Sequence, residues 1–337
     1  MDRPARNATS SAFTRRSLLR AGGLAALASW FGMGGAVSGG VPAAGRGVPG
    51  PHASGRRVLR FAHLTDLHIQ PEKAAAEGVA QCLRHLGTHG APVDLVVTGG
   101  DLIRDSFKAD EARTKLQWEL LTKSLRDHAP CPIAHVLGNH DIWGWNKTKS
   151  KTTGTERLWG KAWALEQLSL SKPYHAFDRA GWHFICLDSV QPTSDEDYIG
   201  YLDDAQMDWL KTNLNATPKT TPIVVTSHIP IFSASSILDT NPEKPLTAVH
   251  RSIHRDAAAL HKMFREHGNV RLALSGHKHR NDRTEFDGIT YICDGAVSGS
   301  WWNGRQEHCD EGYGLIDLHD DGTFTHQYVT YGWKARA

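Results

Sequence analysis

Five short apolar runs, at 58–62, 95–97, 132–137, 223–225 and 270–274, each end in a polar cluster and set the rhythm of this chain. Runs of this length, rich in Val, Ile and Leu and without strict alternation, predict strands buried on both faces. Amphipathic stretches at 72–89, 110–128, 203–213 and 254–267 predict helices between them, and acidic residues at the start of the third oppose its dipole. The strand–helix alternation predicts a parallel or mixed sheet covered by helices. Beyond residue 280 the pattern turns to strand-like runs at 283–286, 289–294, 313–319 and 323–330. The turns Asp287-Gly288 and Asp321-Gly322 make antiparallel hairpins of them. With no internal repeat and no second shift in composition, residues 58–337 read as one domain.

The polar clusters share one chemistry. In chain order they are Asp66-x-His68, Gly100-Asp101, Gly138-Asn139-His140-Asp141, His228 and Gly276-His277-Lys278-His279. Strand ends are where α/β proteins keep their functional groups, and oxygen and imidazole donors without thiolate suit iron, manganese or zinc. Asp66, His68, Asp101, Asn139, His228, His277 and His279 are too many for one open catalytic metal. They suffice for two ions if one carboxylate bridges, and paired ions about 3.5–4 Å apart are a recurring device for phosphoryl displacement. A phosphate ester repels anionic nucleophiles and hydroxide is scarce at neutral pH; metal ions lower the pKa of bound water towards roughly 7 and neutralise the phosphate oxygens. His140, next to a ligand at a strand tip, is placed to assist the leaving oxygen, and Asp141 to fix its tautomer.

These motifs, in this order, resemble the five signature motifs of the calcineurin-like metallophosphoesterase superfamily across about residues 58 to 280. The resemblance implies an α/β fold: a four-layered α/β/β/α sandwich of two mixed sheets flanked by helices, around a binuclear centre. By motif, Asp66, His68 and His279 would hold one metal, Asn139, His228 and His277 the other, and Asp101 would bridge. His140 would be the non-ligand histidine that assists the leaving group. Purple acid phosphatases carry Tyr where this chain has Arg104, and calcineurin-type protein phosphatases continue the bridging motif as Asp-Arg-Gly. Here the chain reads Asp101-Leu102-Ile103-Arg104-Asp105. Thr65-Asp66-Leu67-His68-Ile69 with Gly-Asn-His-Asp is most similar to the class III cyclic-nucleotide phosphodiesterase branch, which includes enzymes acting on glycerophosphodiesters. The expected activity is hydrolysis of phosphodiesters by metal-activated hydroxide. A phosphomonoesterase with the same centre, or a metal-binding sensor without catalysis, are the alternatives.

Residues 1–43 change the expected location. Thr14-Arg15-Arg16-Ser17-Leu18-Leu19 and the weakly apolar, Gly-rich stretch after it resemble a twin-arginine signal. Seven Gly between 21 and 40 make a poor membrane-spanning helix. The expected product is periplasmic or secreted, meets the membrane only during export by the twin-arginine machinery, and acts on small-molecule or envelope phosphoesters. Residues 44–57 read as a flexible tether. The formal charge of +2 comes from the signal, whose five Arg and one Asp contribute +4 and leave −2 elsewhere, so no nucleic-acid-binding surface is expected. Five Cys without Cys-x-x-Cys spacing exclude a structural zinc site of that kind, and Cys186 and Cys293 read as core. Two longer segments, 142–172 with four Trp and 233–252 with two Pro, follow motifs and are expected near the site mouth. Trp301-Trp302 reads as a substrate platform or, preferably, a buried plug.

Overall fold

A computed structural model describes residues 55–239 and 251–336. In chain order these form β1 (Arg57–Leu64), α1 (Ala75–Thr88), β2 (Leu95–Thr98), α2 (Glu111–His128), β3 (Ile133–Ala134), α3 (Lys147–Ser150) and α4 (Ala162–Gln167). Next come β4 (His175–Arg179), β5 (Trp182–Cys186), β6 (Val190–Pro192), β7 (Tyr198–Gly200), α5 (Asp204–Ala216), β8 (Ile223–Thr226) and α6 (Ala257–His267). The chain closes with β9 (Val270–Ser275), β10 (Asp282–Phe286), β11 (Ile289–Cys293), β12 (Gly312–His319) and β13 (Phe324–Thr330). The expected signal and most of the expected tether lie outside the described residues, as does much of 233–252. Among the described residues no helix is long and apolar enough to cross a membrane.

Two sheets carry the fold, ordered β13-β12-β1-β2-β3 and β10-β11-β9-β8-β5-β4. Side chains on a strand alternate between faces, and here the two faces have different partners. Leu59 and Phe61 of β1 point at the second sheet and meet Phe184, Val224, Leu272 and Ile292, while Ala62 and Leu64 point the other way. The outward face of the first sheet packs on α1 and α2 through Val79, Leu83, Trp118 and Leu121. The outward face of the second packs on α5 and α6 through Leu210, Leu214, Leu260 and Phe264. Phe61 and Phe184 meet edge to face at 5.5 Å in the seam between sheets. Burying each such ring contributes about 2 kcal/mol. The order of layers is therefore α/β/β/α, as expected.

Helix starts show why pattern reading runs early. Asp110 and Asp203 have extended backbone and cap α2 and α5, their carboxylates accepting from Arg113 N at 3.0 Å and Gln206 N at 2.8 Å. A cap of this kind contributes about 1 kcal/mol. The polarity pattern counts such a residue into the helix, although its own backbone lies outside it.

Both C-terminal hairpins form, β10 with β11 and β12 with β13. The hairpin reading omitted that β11 also pairs parallel to β9. The parallel series β5, β8, β9, β11 thus has four strand ends at one edge, beside the ends of parallel β1, β2 and β3 in the other sheet. Segment 142–172 is pinned by its tryptophans: Trp143 meets Trp163 edge to face at 4.8 Å within the outer core, and Trp145 packs with Ile142, Val190 and Ile229. All five cysteines are free, with Cys186 and Cys293 buried.

Candidate metal centre

The loops leaving parallel strands continue each other's hydrogen bonding beyond the sheets. Asp66 N donates to Gly100 O at 3.0 Å and His68 N to Asp101 O at 3.0 Å, while Gly276 N donates to His228 O at 3.1 Å. To turn the side chains into a common space, Asp66, His68, Asp101, His277 and His279 adopt left-handed backbone, with φ of 54°, 42°, 52°, 71° and 52°. This costs a residue with a Cβ roughly 1–2 kcal/mol and clusters at functional sites where the surroundings over-determine it. Close approach is the reason for two of the motif glycines. A Cβ on Gly138 would stand 2.2 Å from Asp101 Oδ1, and one on Gly276 would stand 1.8 Å from Thr65 Oγ1.

All seven expected ligands are gathered here. One group is Asp66, His68 and His279; a second is Asp101, His228 and His277, and within each group the donor atoms lie within 4.8 Å of one another. Asn139 joins the second, its Oδ1 3.1 Å from His228 Nε2. Asp101 Oδ2 stands between them, 3.7 Å from His68 Nε2 and 3.2 Å from His228 Nε2. Asp66, His68 and His228 are fully buried.

The second oxygen or nitrogen of four of these donors is already committed. Asp66 Oδ2 accepts from Thr65 Oγ1 at 2.6 Å and His277 N at 2.8 Å, leaving buried Oδ1 with no hydrogen bond. Asp101 Oδ1 accepts from His140 N at 2.7 Å. His228 Nδ1 donates to Gly99 O at 2.7 Å and His279 Nδ1 to Gly299 O at 2.6 Å, so each ring turns its Nε2 inward. His68 Nε2 and His279 Nε2 face each other at 3.1 Å. Beside them the orphaned carboxylate oxygen of Asp66 calls for a cation, and the donors fit metal ions.

Electrostatics agree. Burial would raise the carboxyls of Asp66 and Asp101, yet the imidazoles of His279 and His228 hold both well below the usual carboxylate range. Burial pulls His68 down to about 3, and burial with neighbouring His228 takes His277 to about 4, so both rings are neutral and able to ligate. His228 is pushed up to about 9 because Asp101 and Asp66 outweigh its burial. A metal ion meets the same demand for positive charge.

Residues 139–141 form one 3₁₀ turn, in which successive side chains diverge by about 120°. Asn139 faces His228, His140 faces the mouth, and Asp141 turns back into the protein. Its carboxylate accepts from Leu102 N at 2.7 Å, Ile103 N at 3.2 Å and Gly138 N at 2.8 Å. The expected role of Asp141 in fixing His140 is therefore corrected: it staples two strand-end loops together. Burial, then the Asp101 charge, pushes its carboxyl up to about 7. The carboxylate beside His140 is Asp105, with Oδ1 3.6 Å from Nδ1. Burial lowers the His140 pKa, but Asp101 and Asp105 more than offset it and the net shift is upward.

A sequence profile of the Calcineurin-like phosphoesterase family matches residues 59–281. The chain belongs to this family. A curated relative from Synechococcus sp., named a probable cyclic nucleotide phosphodiesterase, is 26% identical over 228 residues, 66% of this chain and 74% of its own. A Nostoc sp. protein named a 3',5'-cyclic-nucleotide phosphodiesterase is 23% identical over 283 residues, 79% of this chain and 90% of its own. The fold is shared with a dimetal phosphatase from Danio rerio at a TM-score of 0.57 and 15% identity, covering 81% of this chain and 96% of that one. The protein is accordingly a metal-dependent phosphoric ester hydrolase of a binuclear family.

Sequence reasoning placed the phosphoesterase motifs but read the tryptophan pair as one unit, platform or plug, where the structure gives its members different roles. Trp302 is the plug, fully buried, with Nε1 donating to Leu67 O at 3.1 Å and His68 O at 3.0 Å. Trp301 is a wall of the site. Its ring lies 3.7 Å from the His68 ring, 4.9 Å from His140 and 5.2 Å from His279. Both have left-handed backbone, φ 57° and 69°, which sends adjacent indoles to different sides of the loop. The parallel pairing of β11 delivers this loop to the site, and the flanking Gly299 and Gly304 were its only mark in the sequence. Tyr198, on the β6–β7 hairpin, is another unanticipated neighbour, its ring 6.1 Å from His277.

Proposed function

We propose that this protein hydrolyses phosphodiesters of small molecules. The observation that carries the reading is the position of Asp101 Oδ2 between two complete donor groups, with His140 beside them. In it Asp66, His68 and His279 would hold one ion, Asn139, His228 and His277 would hold the other, and Asp101 would serve both. Two ions held there supply a nucleophile at neutral pH and offset the charge of the phosphate. His140 gives a proton or hydrogen bond to the departing oxygen, Asp105 keeps that ring charged and oriented, and Trp301 shields the His68 side from water. The relatives named as cyclic nucleotide phosphodiesterases support diesters over monoesters. The Arg15-Arg16 pattern supports export to the periplasm or beyond, where nutrient and envelope phosphoesters become the natural substrates.

The test is turnover by protein loaded with manganese, iron or zinc, comparing bis(p-nitrophenyl) phosphate, p-nitrophenyl phosphate and a 3',5'-cyclic nucleotide. Diesters cleaved faster than the monoester is the expected result; preference for the monoester would transfer the reading to a phosphomonoesterase. Metal bound tightly without any esterase activity would point to a sensor. Export is checked by fractionating cells that carry Arg15→Lys with Arg16→Lys: precursor should accumulate in the cytoplasm, and unaltered secretion would exclude the twin-arginine route.

A further inference from the structure

The reaction above leaves the chemistry of Arg104 unused. Its guanidinium carbon lies 4.0 Å from the Trp301 ring centroid. The indole has room for one such group on each face, so Arg104 covers the face opposite His68. Cation–π contact occupies the flat side of a guanidinium and leaves the N–H donors at its rim. Among the described residues that rim meets no acceptor. Neighbouring carboxylates are engaged elsewhere: Glu72 takes both Arg113 nitrogens, at 2.8 and 2.5 Å, and Asp105 accepts from Lys108 N while facing His140. Arg104 is half-buried and held by stacking, with its hydrogen-bonding capacity unspent.

Position says what it binds. The indole between Arg104 and His68 sets the guanidinium a ring spacing away from that ligand, on the far face of Trp301. Trp301 also touches His140 at 4.9 Å, which places the stack on the leaving-group side. Arg is suited to planar, paired oxyanion recognition.

We propose that Arg104 and Trp301 form a subsite for an oxyanion, a carboxylate or second phosphate, carried on the departing alcohol arm of the diester. This rests on the phosphodiesterase reading and adds to it a substrate class: diesters with an anionic leaving alcohol. With both faces of the indole covered, only the edge of Trp301 borders that arm, and Arg104 receives its charge.

The experiment compares methyl 4-carboxyphenyl phosphate with its neutral 4-carboxamide, and methyl 4-phosphonophenyl phosphate alongside, on metal-loaded wild type, Arg104→Gln and Arg104→Lys. Equilibrium binding is read separately by titration calorimetry with methyl (4-carboxybenzyl)phosphonate and its carboxamide, whose P–C bond is not hydrolysed. A charge-assisted contact predicts about tenfold to hundredfold tighter binding and lower KM for at least one anionic compound. Arg104→Gln removes that preference while carboxamide turnover stays within about twofold of wild type, and Arg104→Lys keeps part of it. Equal handling of charged and neutral compounds by wild type, with both turned over, overturns the subsite and leaves the phosphodiesterase standing. A preference that survives Arg104→Gln, or an equal loss on every ester, also overturns it. No turnover of any diester removes the underlying reading and the subsite with it.

Discussion

The Gly138→Ala substitution tests whether the centre depends on close approach of two strand-end loops. Gly138 has φ −105° and ψ 177°, extended backbone that alanine adopts freely, so the change adds one methyl group and no dihedral strain. That methyl would stand 2.2 Å from Asp101 Oδ1, 2.3 Å from Asp101 N and 2.8 Å from Asp101 Cγ. Carbon contacts settle at about 3.5–4 Å, and a backbone nitrogen cannot swing aside as a side chain can. Relief therefore requires roughly 1 Å of separation between the Asp101 loop and the 138–141 turn, and a shift of that size at a catalytic group costs about 10²-fold. Overpacking also costs about 1–3 kcal/mol of stability. The variant should fold, melt a few degrees lower, bind less metal by elemental analysis, and cleave bis(p-nitrophenyl) phosphate about 100-fold more slowly. Gly87→Ala, in α1 with its nearest neighbour 3.7 Å away, is the control and should be neutral or slightly stabilising. Full metal content with activity within threefold of wild type would refute the reasoning, because it would mean that the loops have slack.

Asp101→Asn should lower occupancy at both ions, since one charged oxygen faces both donor groups; loss confined to one ion would contradict sharing. His140→Ala should keep its metals and lose about 10²–10⁴-fold in turnover of a diester with a poor leaving group; wild-type rates on such a substrate would exclude it as the acid. For pH, the sign follows from the acid role. His140 must carry its proton, so activity falls as pH rises through its pKa, which the neighbouring Asp105 carboxylate raises. Asp105→Asn removes part of that support and should move the basic limb of kcat/KM to lower pH; a limb that stays in place would sever the pair.

What could be read from the sequence follows a physical rule. A strand in a parallel sheet announces its C-terminal end by where its apolar run stops, so Asp66, Asp101, Asn139, His228 and His277 could be assigned to one edge without coordinates. Strands apolar on both sides announced a covered sheet, whereas the stacking of two sheets with helices on their outer faces alone was implied only by the resemblance to the family. Contacts between segments are not written in either signal. Asp141 stood next to His140 in the chain and was given its care, but a 3₁₀ turn sends neighbours apart, and the carboxylate that faces His140 comes from the loop after β2. Trp301 sits over His68 only because β11 aligns with β9. A hairpin pattern cannot show that alignment, since Asp287-Gly288 fixes which strand β11 turns back on and leaves its other neighbour open. The ligands lie on the segments that the pattern identifies, whereas Arg104, Asp105, Tyr198 and Trp301 reach the mouth through packing between segments. Family motifs therefore specify the shared chemistry of bond cleavage, and the residues that surround it at the mouth are ones that only the folded arrangement brings together.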